Sequence, residues 1–500
     1  MFDPLLQALP VAFAWSSILA MVIGTLAGIL VGALPGLSAT MGIAVLIPLT
    51  FGLDPLVALG MMAGIYNGAM YGGAIPAVLL RIPGTPAAIA TTFDGYVMSQ
   101  QGRSGFALKV AVFSSAFGGI MSAIALMTLA PPLSKITLAF GPAEYFWVAV
   151  FGLASISVLL GRDPVKGLIA ACFGLVLSTV GIDQVTGHER FTFDTLELSS
   201  GFHIVVLLVG LYALPPVFIM AEEAIKKGIS AAELKFGGAG SYLDILRYWK
   251  TLIRSSIIGI IVGILPGAGG NIAAFLSYNE AKRASRDPDS FGQGNPEGVA
   301  AAECGNNADN AAAMIPALTL GVPGSSVSAV ILGGLLVHGL QPGPALFREN
   351  ADVVYGFMIQ MLVTSILLIP FGGLLATRLF SQVLRLPRVM LAPLIIGLTV
   401  VGVYCINNSI FDLYMMLCFG LVGYCMEKLK FPLAPAVLGL ILGGMAETNL
   451  RLTMLISGDD WRALVQNTIS QIIIALVVVV LLYPVVRTLM ANRAANKGET

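Results

Sequence analysis

Charge is what this 500-residue chain lacks most: only 11% of its residues are Asp, Glu, Lys or Arg. A soluble domain carries about a quarter. With 57% hydrophobic residues beside that deficit, too few side chains remain to clothe a water-exposed surface. The composition therefore excludes a soluble globular domain and requires an integral membrane protein. The 27 basic and 27 acidic residues cancel, and no basic arm or basic-aromatic patch is present, so nothing draws in nucleic acid. Histidine is nearly missing. His188, His203 and His338 form no H-E-x-x-H or other metal-ligand spacing, and no structural metal is expected. The five cysteines (Cys172, Cys304, Cys405, Cys418 and Cys425) include no C-x-x-C pair; four sit in apolar surroundings as small hydrophobes, and Cys304, in a polar stretch, reads as packing in preference to a reactive thiol. There is no G-x-x-x-x-G-K-[ST] phosphate loop, which removes ATP hydrolysis by that route, and no cofactor motif. The absence of a G-x-S-x-G elbow argues against an intramembrane hydrolase, the least favoured alternative.

Glycine and proline, at 57 and 27 residues, are abundant for a helical membrane chain and imply interrupted or very closely packed helices. The start, Met1-Phe2-Asp3-Pro4, lacks the basic opening of a secretory signal, so the apolar run 11–33 reads as a retained first span. Further apolar windows near 41–80, 107–130, 143–160, 165–181 and 203–220, and from 252 onward, predict about ten to twelve spans in an all-α fold. Lys226, Lys227, Lys235, Arg247, Lys250 and Arg254 make 221–254 a cytoplasmic connector. Arg487, Arg493 and Lys497 place the C-terminus on the same side. The loop 181–200, with Asp183, Glu189, Asp194 and Glu197 against Arg190, faces outward. Residues 1–220 and 255–500 are then two membrane halves, expected to be inverted relative to each other, the second carrying extra C-terminal spans.

Those halves repeat. Residues 24–36, G-T-L-A-G-I-L-V-G-A-L-P-G, match 255–267, S-S-I-I-G-I-I-V-G-I-L-P-G, at seven of thirteen positions. Residues 64–84 match 304–324 without gaps at seven of twenty-one, pairing Asn67 with Asn307, Pro76 with Pro316, and Pro83-Gly84 with Pro323-Gly324. Pro35-Gly36, Pro83-Gly84, Pro266-Gly267 and Pro323-Gly324 are four places where a helix must stop or reverse, since Pro removes a donor and Gly admits reversed dihedrals. Unwound backbone at bilayer depth survives only where protein or a wet cavity satisfies it, and paired breaks in two halves point to a transporter's binding site.

The breaks are flanked by uncharged polar groups: Ser38 and Thr40, then Thr85, then Asn271, then Ser325 and Ser326. Such groups either bind a carboxylate or cation without the cost of a buried charge or simply let helices approach. Arg81, with Gly321 at the matching position, is either the fixed positive charge facing an anion or a snorkelling side chain. The stretch Glu303-Cys304-Gly305-Asn306-Asn307-Ala308-Asp309-Asn310 holds two carboxylates and three amides before an apolar run. It is either an ion or proton site, with Asn67 as the partner amide, or a solvated loop with Asn306 or Asp309 capping a helix.

The runs G-A-L-P-G-L-S-A-T-M-G (32–42), Y-G-G-A-I-P-A-V-L-L-R-I-P-G-T-P (71–86), P-G-A-G-G-N (266–271), G-N-N-A-D-N-A (305–311), M-I-P-A-L-T-L-G-V-P-G-S (314–325) and H-G-L-Q-P-G-P (338–344) resemble the large membrane subunit of tripartite tricarboxylate transporters. The resemblance covers both halves. It implies a bacterial inner-membrane permease working with a small membrane subunit and a periplasmic solute-binding protein. It further implies carboxylate uptake coupled to Na⁺ or H⁺. Neither the solute, the coupling ion nor the oligomeric state, monomer or homodimer, follows from the residues. The residue-level reading agrees, with a passive channel through the same polar breaks as the competing class.

Overall fold

The computed structural model describes residues 2–34, 37–159, 163–183, 187–227, 240–375 and 391–497. It is all-α apart from one two-residue antiparallel pair, Gly181–Ile182 with Glu189–Arg190, among the described residues. Six helices there are long and apolar enough to cross a bilayer: Trp15–Ala33, Ser104–Thr137, Ile204–Glu222, Ala351–Gly373, Ile410–Lys428 and Leu433–Ser457. The ten to twelve apolar windows of the sequence do not map one to one onto these six. Breaks divide the windows near 41–80, 252–276 and 311–340 into shorter helices.

The first half opens with α1 (Phe2–Ala12), α2 (Trp15–Ala33), α3 (Ala39–Thr50), α4 (Pro55–Gly72), the short α5 (Ala74–Leu80), α6 (Thr91–Gln100) and the long α7 (Ser104–Thr137). Next come α8 (Pro142–Leu159), α9 (Pro164–Ser178) and α10 (Ile204–Lys227). The second half runs through α11 (Trp249–Ile264), α12 (Gly269–Ala284), α13 (Pro296–Ala312), the short α14 (Met314–Leu320), α15 (Ser326–Val337), α16 (Pro344–Glu349) and α17 (Ala351–Leu368). Helices Leu391–Asn407, Ile410–Lys428, Leu433–Ser457 and Thr468–Lys497 complete the chain.

Local chemistry starts the two central helices in the same way. Asp54 caps α4 by accepting from Leu56 N at 3.0 Å, and Pro55 fills the first turn. Asn295 caps α13 by accepting from Glu297 N at 2.8 Å, and Pro296 fills its first turn. A short polar cap satisfies an orphan N–H, and proline there forfeits nothing.

Each central helix then packs parallel to the helix two before it, through small residues. A Cβ on Gly24, Gly28 or Gly32 of α2 would sit 2.2, 2.5 or 2.2 Å from the carbonyl oxygens of Met61, Ile65 or Ala69 on α4. On α11, a Cβ at Gly259 would sit 2.4 Å from Gly305 O, and one at Gly263 would sit 2.8 Å from Asp309 O, both on α13. Backbones this close gain dispersion contacts that larger side chains would prevent, the usual basis of packing in lipid. Since α4 runs parallel to α2, α3 must double back between them; α12 does the same between α11 and α13.

Beyond α4 and α13 the chain leaves the helix axis and returns. Arg81 (φ 59°) ends α5, and Gly321 (φ 73°) ends α14, both left-handed. Ile82 N donates to Pro76 O at 3.3 Å, and Val322 N donates to Pro316 O at 3.3 Å. Gly84 N then donates back to Gly73 O at 3.2 Å, as Gly324 N does to Ala313 O at 3.2 Å. These bonds close each excursion and satisfy carbonyls that a membrane interior would otherwise strand. Helices α6 and α15 resume from the closing points.

Candidate functional site

The polar centre forms where α4 meets α13. Asn310 Nδ2 donates to Asn67 Oδ1 at 2.9 Å, and Asn306 Nδ2 donates to the carbonyl of Met70 at 3.5 Å. The pairing descends one helix as it ascends the other, so the two helices cross antiparallel. Nearby, Ser325 Oγ lies 3.1 Å from Tyr66 Oη, and Ser326 Oγ lies 3.4 Å from Thr40 Oγ1, again joining the halves.

Asn67, Glu303, Asn306, Asn307, Asp309 and Asn310 are all fully buried. Asn306 and Asp309 lie inside α13, more than two turns past its cap Asn295, so the alternative of a solvated loop capped by either residue is overturned. The seventeen-residue helix starts earlier than the apolar pattern indicates because Ala300, Ala301 and Ala302 carry the polar stretch into it.

The six residues divide by their partners. Glu303 is held by a donor on each oxygen: its carboxylate accepts from Thr91 Oγ1 on α6 and from Ser115 Oγ on α7, the latter at 3.0 Å. Asn67 is likewise held, donating to Thr364 Oγ1 at 2.9 Å, Ser365 Oγ at 3.1 Å and Met361 O at 3.2 Å on α17. Asn306 Oδ1, both side-chain polar atoms of Asn307, both carboxylate oxygens of Asp309 and Asn310 Oδ1 have no hydrogen-bond partner. Five of those atoms are oxygens and one is a nitrogen. Buried polar atoms of native proteins are nearly always satisfied, so this excess of acceptors fits a cation or other donor-bearing ligand.

Two of the unpaired groups converge on the start of α12. The Gly270 backbone N–H approaches the Asp309 carboxylate without meeting hydrogen-bond geometry. A Cβ on Gly270 would fall 2.6 Å from Asn306 Oδ1. Gly267 (φ 83°) turns the chain there, and its N–H donates to Gly324 O at 2.9 Å, so the breaks Pro266-Gly267 and Pro323-Gly324 touch.

The remaining candidates sit at different depths. Pro35 and Gly36 lie outside the described residues. Ser38 caps α3, accepting from Met41 N at 3.1 Å, and Thr40 is buried. Pro83 is half-buried, while Gly84 and Thr85 are buried, with Thr85 Oγ1 unpaired beside Gly73. Pro323, Gly324 and Ser325 are buried, and Ser326 is half-buried. Asn271 is exposed on α12, outside the cluster. Arg81 also lies outside it, exposed at the tip of the α5 excursion with its guanidinium 5.7 Å from the Tyr96 ring centre.

Several groups escaped the sequence reading. Gln360, Thr364 and Ser365 on α17 and Ser115 on α7 are polar residues inside long apolar spans, which is the signal the sequence carries for them. Tyr66, and Tyr71, which donates to Gly372 O at 3.0 Å in the π turn Ile369–Leu375, read as ordinary membrane aromatics.

A helical membrane protein with a buried polar centre assembled at broken helices has the architecture of a transporter. The model of the tripartite tricarboxylate transporter TctA family matches residues 18–438, and the chain belongs to that family. It is 37% identical over 483 residues to the "Uncharacterized 52.8 kDa protein in TAR-I ttuC' 3'region" of Agrobacterium vitis, covering 96% of this chain and 95% of that one. It is 34% identical over 235 residues to the "Uncharacterized protein in TAR-II ttuC' 3'region" of the same organism, covering 47% of this chain and 97% of that one. No solved structure matches the chain.

Proposed function

We propose that this chain is a secondary active uptake permease for di- or tricarboxylates, driven by Na⁺ or H⁺. A periplasmic solute-binding protein feeds it, and a small membrane subunit accompanies it in a bacterial inner membrane. Family membership supports the tripartite assembly. The observation that carries the ion-coupled reading is the set of five unpaired oxygens on buried α13. Within it, the coupling ion sits between Asn306 and Asp309, facing Gly270. Intramembrane carboxylates are costly and mark ion or proton pathways, and oxygen ligands suit hard cations. The bound ion offsets the charge of the carboxylate solute, which occupies the neighbouring Ser325, Ser326, Thr40 and Thr85 region. Arg81, on the exposed excursion tip, meets the solute only as it leaves the centre.

Residues 1–220 and 255–500 act as two inverted repeats, with 221–254 and the C-terminus cytoplasmic. The antiparallel crossing of α4 and α13 and the matched hydrogen bonds of the two excursions support inversion. The test is uptake of labelled di- and tricarboxylates by membrane vesicles, with the cognate binding protein present, under imposed Na⁺ or H⁺ gradients. Concentrative uptake that collapses with one gradient is the expected result. Uptake that only equilibrates, whatever the gradients, makes the chain a passive channel.

A further inference from the structure

A second built site lies at the start of α11, far along that helix from Gly267. A cavity of about 720 Å³ opens there, and its walls include Arg247, Lys250, Arg254 and Arg286 against two carboxylates, Asp287 and Glu297. Glu297 is engaged by Thr251 Oγ1, and Arg254 lies 3.7 Å from Glu280. Lys250 and Arg286 have no carboxylate within ion-pair reach among the described residues. The cavity is thus net positive and has room for a ligand of headgroup size.

An apolar track leaves this cavity. Trp249, Ile253, Ile257 and Ile261 of α11 and Leu265, which caps its end, recur at every fourth residue, and all are exposed, from 37% at Ile253 to 56% at Ile261. Neighbours four apart are offset by about 40°, so the five form a slanting ridge that winds nearly halfway round the helix over roughly the length of α11, about 24 Å at 1.5 Å per residue. Such a ridge by itself marks any lipid-facing helix. Here its upper end is Trp249, at the cavity rim, and Leu243 and Leu246 of the preceding turns are also exposed. Tryptophan and basic side chains at the end of an apolar stretch mark the level of the headgroups.

We propose that this cavity binds the phosphate of an anionic phospholipid, whose acyl chain lies along the Trp249–Leu265 ridge. Lys250 and Arg286 supply the unneutralised charge, and Arg247 and Arg254 complete the rim. The lipid thereby braces the Trp249 end of α11, the helix that leads into the Pro266-Gly267 break. Basic pockets beside membrane helices are suited to such headgroups, each cation strengthening binding roughly fivefold.

The test is lipid retention by the purified full-length protein, read by native mass spectrometry after exchange into micelles holding equal phosphatidylglycerol and phosphatidylcholine. The wild type should retain phosphatidylglycerol selectively. The Lys250→Gln/Arg286→Gln variant should bind it about thirtyfold more weakly, while Arg462→Gln, an exposed charge elsewhere, leaves it unchanged. Equal retention of both lipids by the wild type overturns the proposal, as does undiminished retention by the double variant or equal loss in Arg462→Gln. Displacement of the lipid by millimolar inorganic phosphate would make this a soluble-phosphate site instead.

Discussion

Asn310 donates to Asn67 across 2.9 Å between residues 243 positions apart, inside a fully buried crossing of α4 and α13. The bond fastens the two halves of the chain at the level of their broken helices. It also separates two roles among the buried amides, since Asn67 is saturated while Asn306 and Asn307 keep unpaired oxygens.

Asn67→Ala should therefore act as a structural lesion first. It strands Asn310 Nδ2 and removes the acceptor that aligns α13, at a cost of about 1–3 kcal/mol. Thermal unfolding of the detergent-purified variant should begin several degrees lower, with membrane insertion intact and uptake reduced. Unchanged uptake and unchanged thermal stability would remove this amide from the account.

Glu303→Gln and Asp309→Asn should differ. Glu303 already has two hydroxyl donors, so its substitution perturbs packing and should leave the cation dependence of uptake in place. Asp309 has none, and its substitution should lower the apparent affinity for the coupling cation at least tenfold while the protein still folds. Titrating uptake against Na⁺ and against pH for both variants separates them. Equal effects would deny Asp309 its special place.

The closing points of the two excursions have no room for a methyl group. A Cβ on Gly84 would lie 2.1 Å from Gly32 O, and one on Gly324 would lie 2.3 Å from Gly263 O. Gly84→Ala and Gly324→Ala should each cost about 1–3 kcal/mol or more through overpacking. Gly444→Ala, where a Cβ meets nothing within 4 Å, is the matched control and should unfold with the wild type.

Orientation is also testable. Phe193 and Leu243 are 82% and 74% exposed, on the loop assigned to the outside and on the stretch assigned to the cytoplasm. In a background lacking Cys172, Cys405, Cys418 and Cys425, a membrane-impermeant thiol reagent should label Phe193→Cys in intact cells. Leu243→Cys should react only after permeabilisation. The reverse pattern would invert the assigned topology.

Much of this was legible in the residues. The Pro83-Gly84, Pro266-Gly267 and Pro323-Gly324 steps each lie between helices, as proline and glycine chemistry requires. Glu303 through Asn310 stood out because carboxylates and amides are rare beside apolar runs. What stayed hidden was which helix each side chain faces. Periodicity could not tell that Glu303 turns to Thr91 and Ser115 while Asp309, six residues on, turns to Gly270. Asn271 and Arg81 illustrate the opposite limit: sequence proximity to a break put them among the candidates, yet both are exposed. Helix lengths were blurred for a related reason, because an excursion closed by two hydrogen bonds, like Gly324 N to Ala313 O, leaves the hydrophobic pattern unbroken.

The most direct test reconstitutes the wild type and Asp309→Asn in proteoliposomes with the cognate binding protein, then imposes an inward Na⁺ or H⁺ gradient and follows labelled carboxylate. The wild type should concentrate the solute under one of the two gradients, and the variant, equally well inserted, should not. Equal accumulation by both would contradict the claim that the unpaired oxygens of α13 couple the ion to the solute.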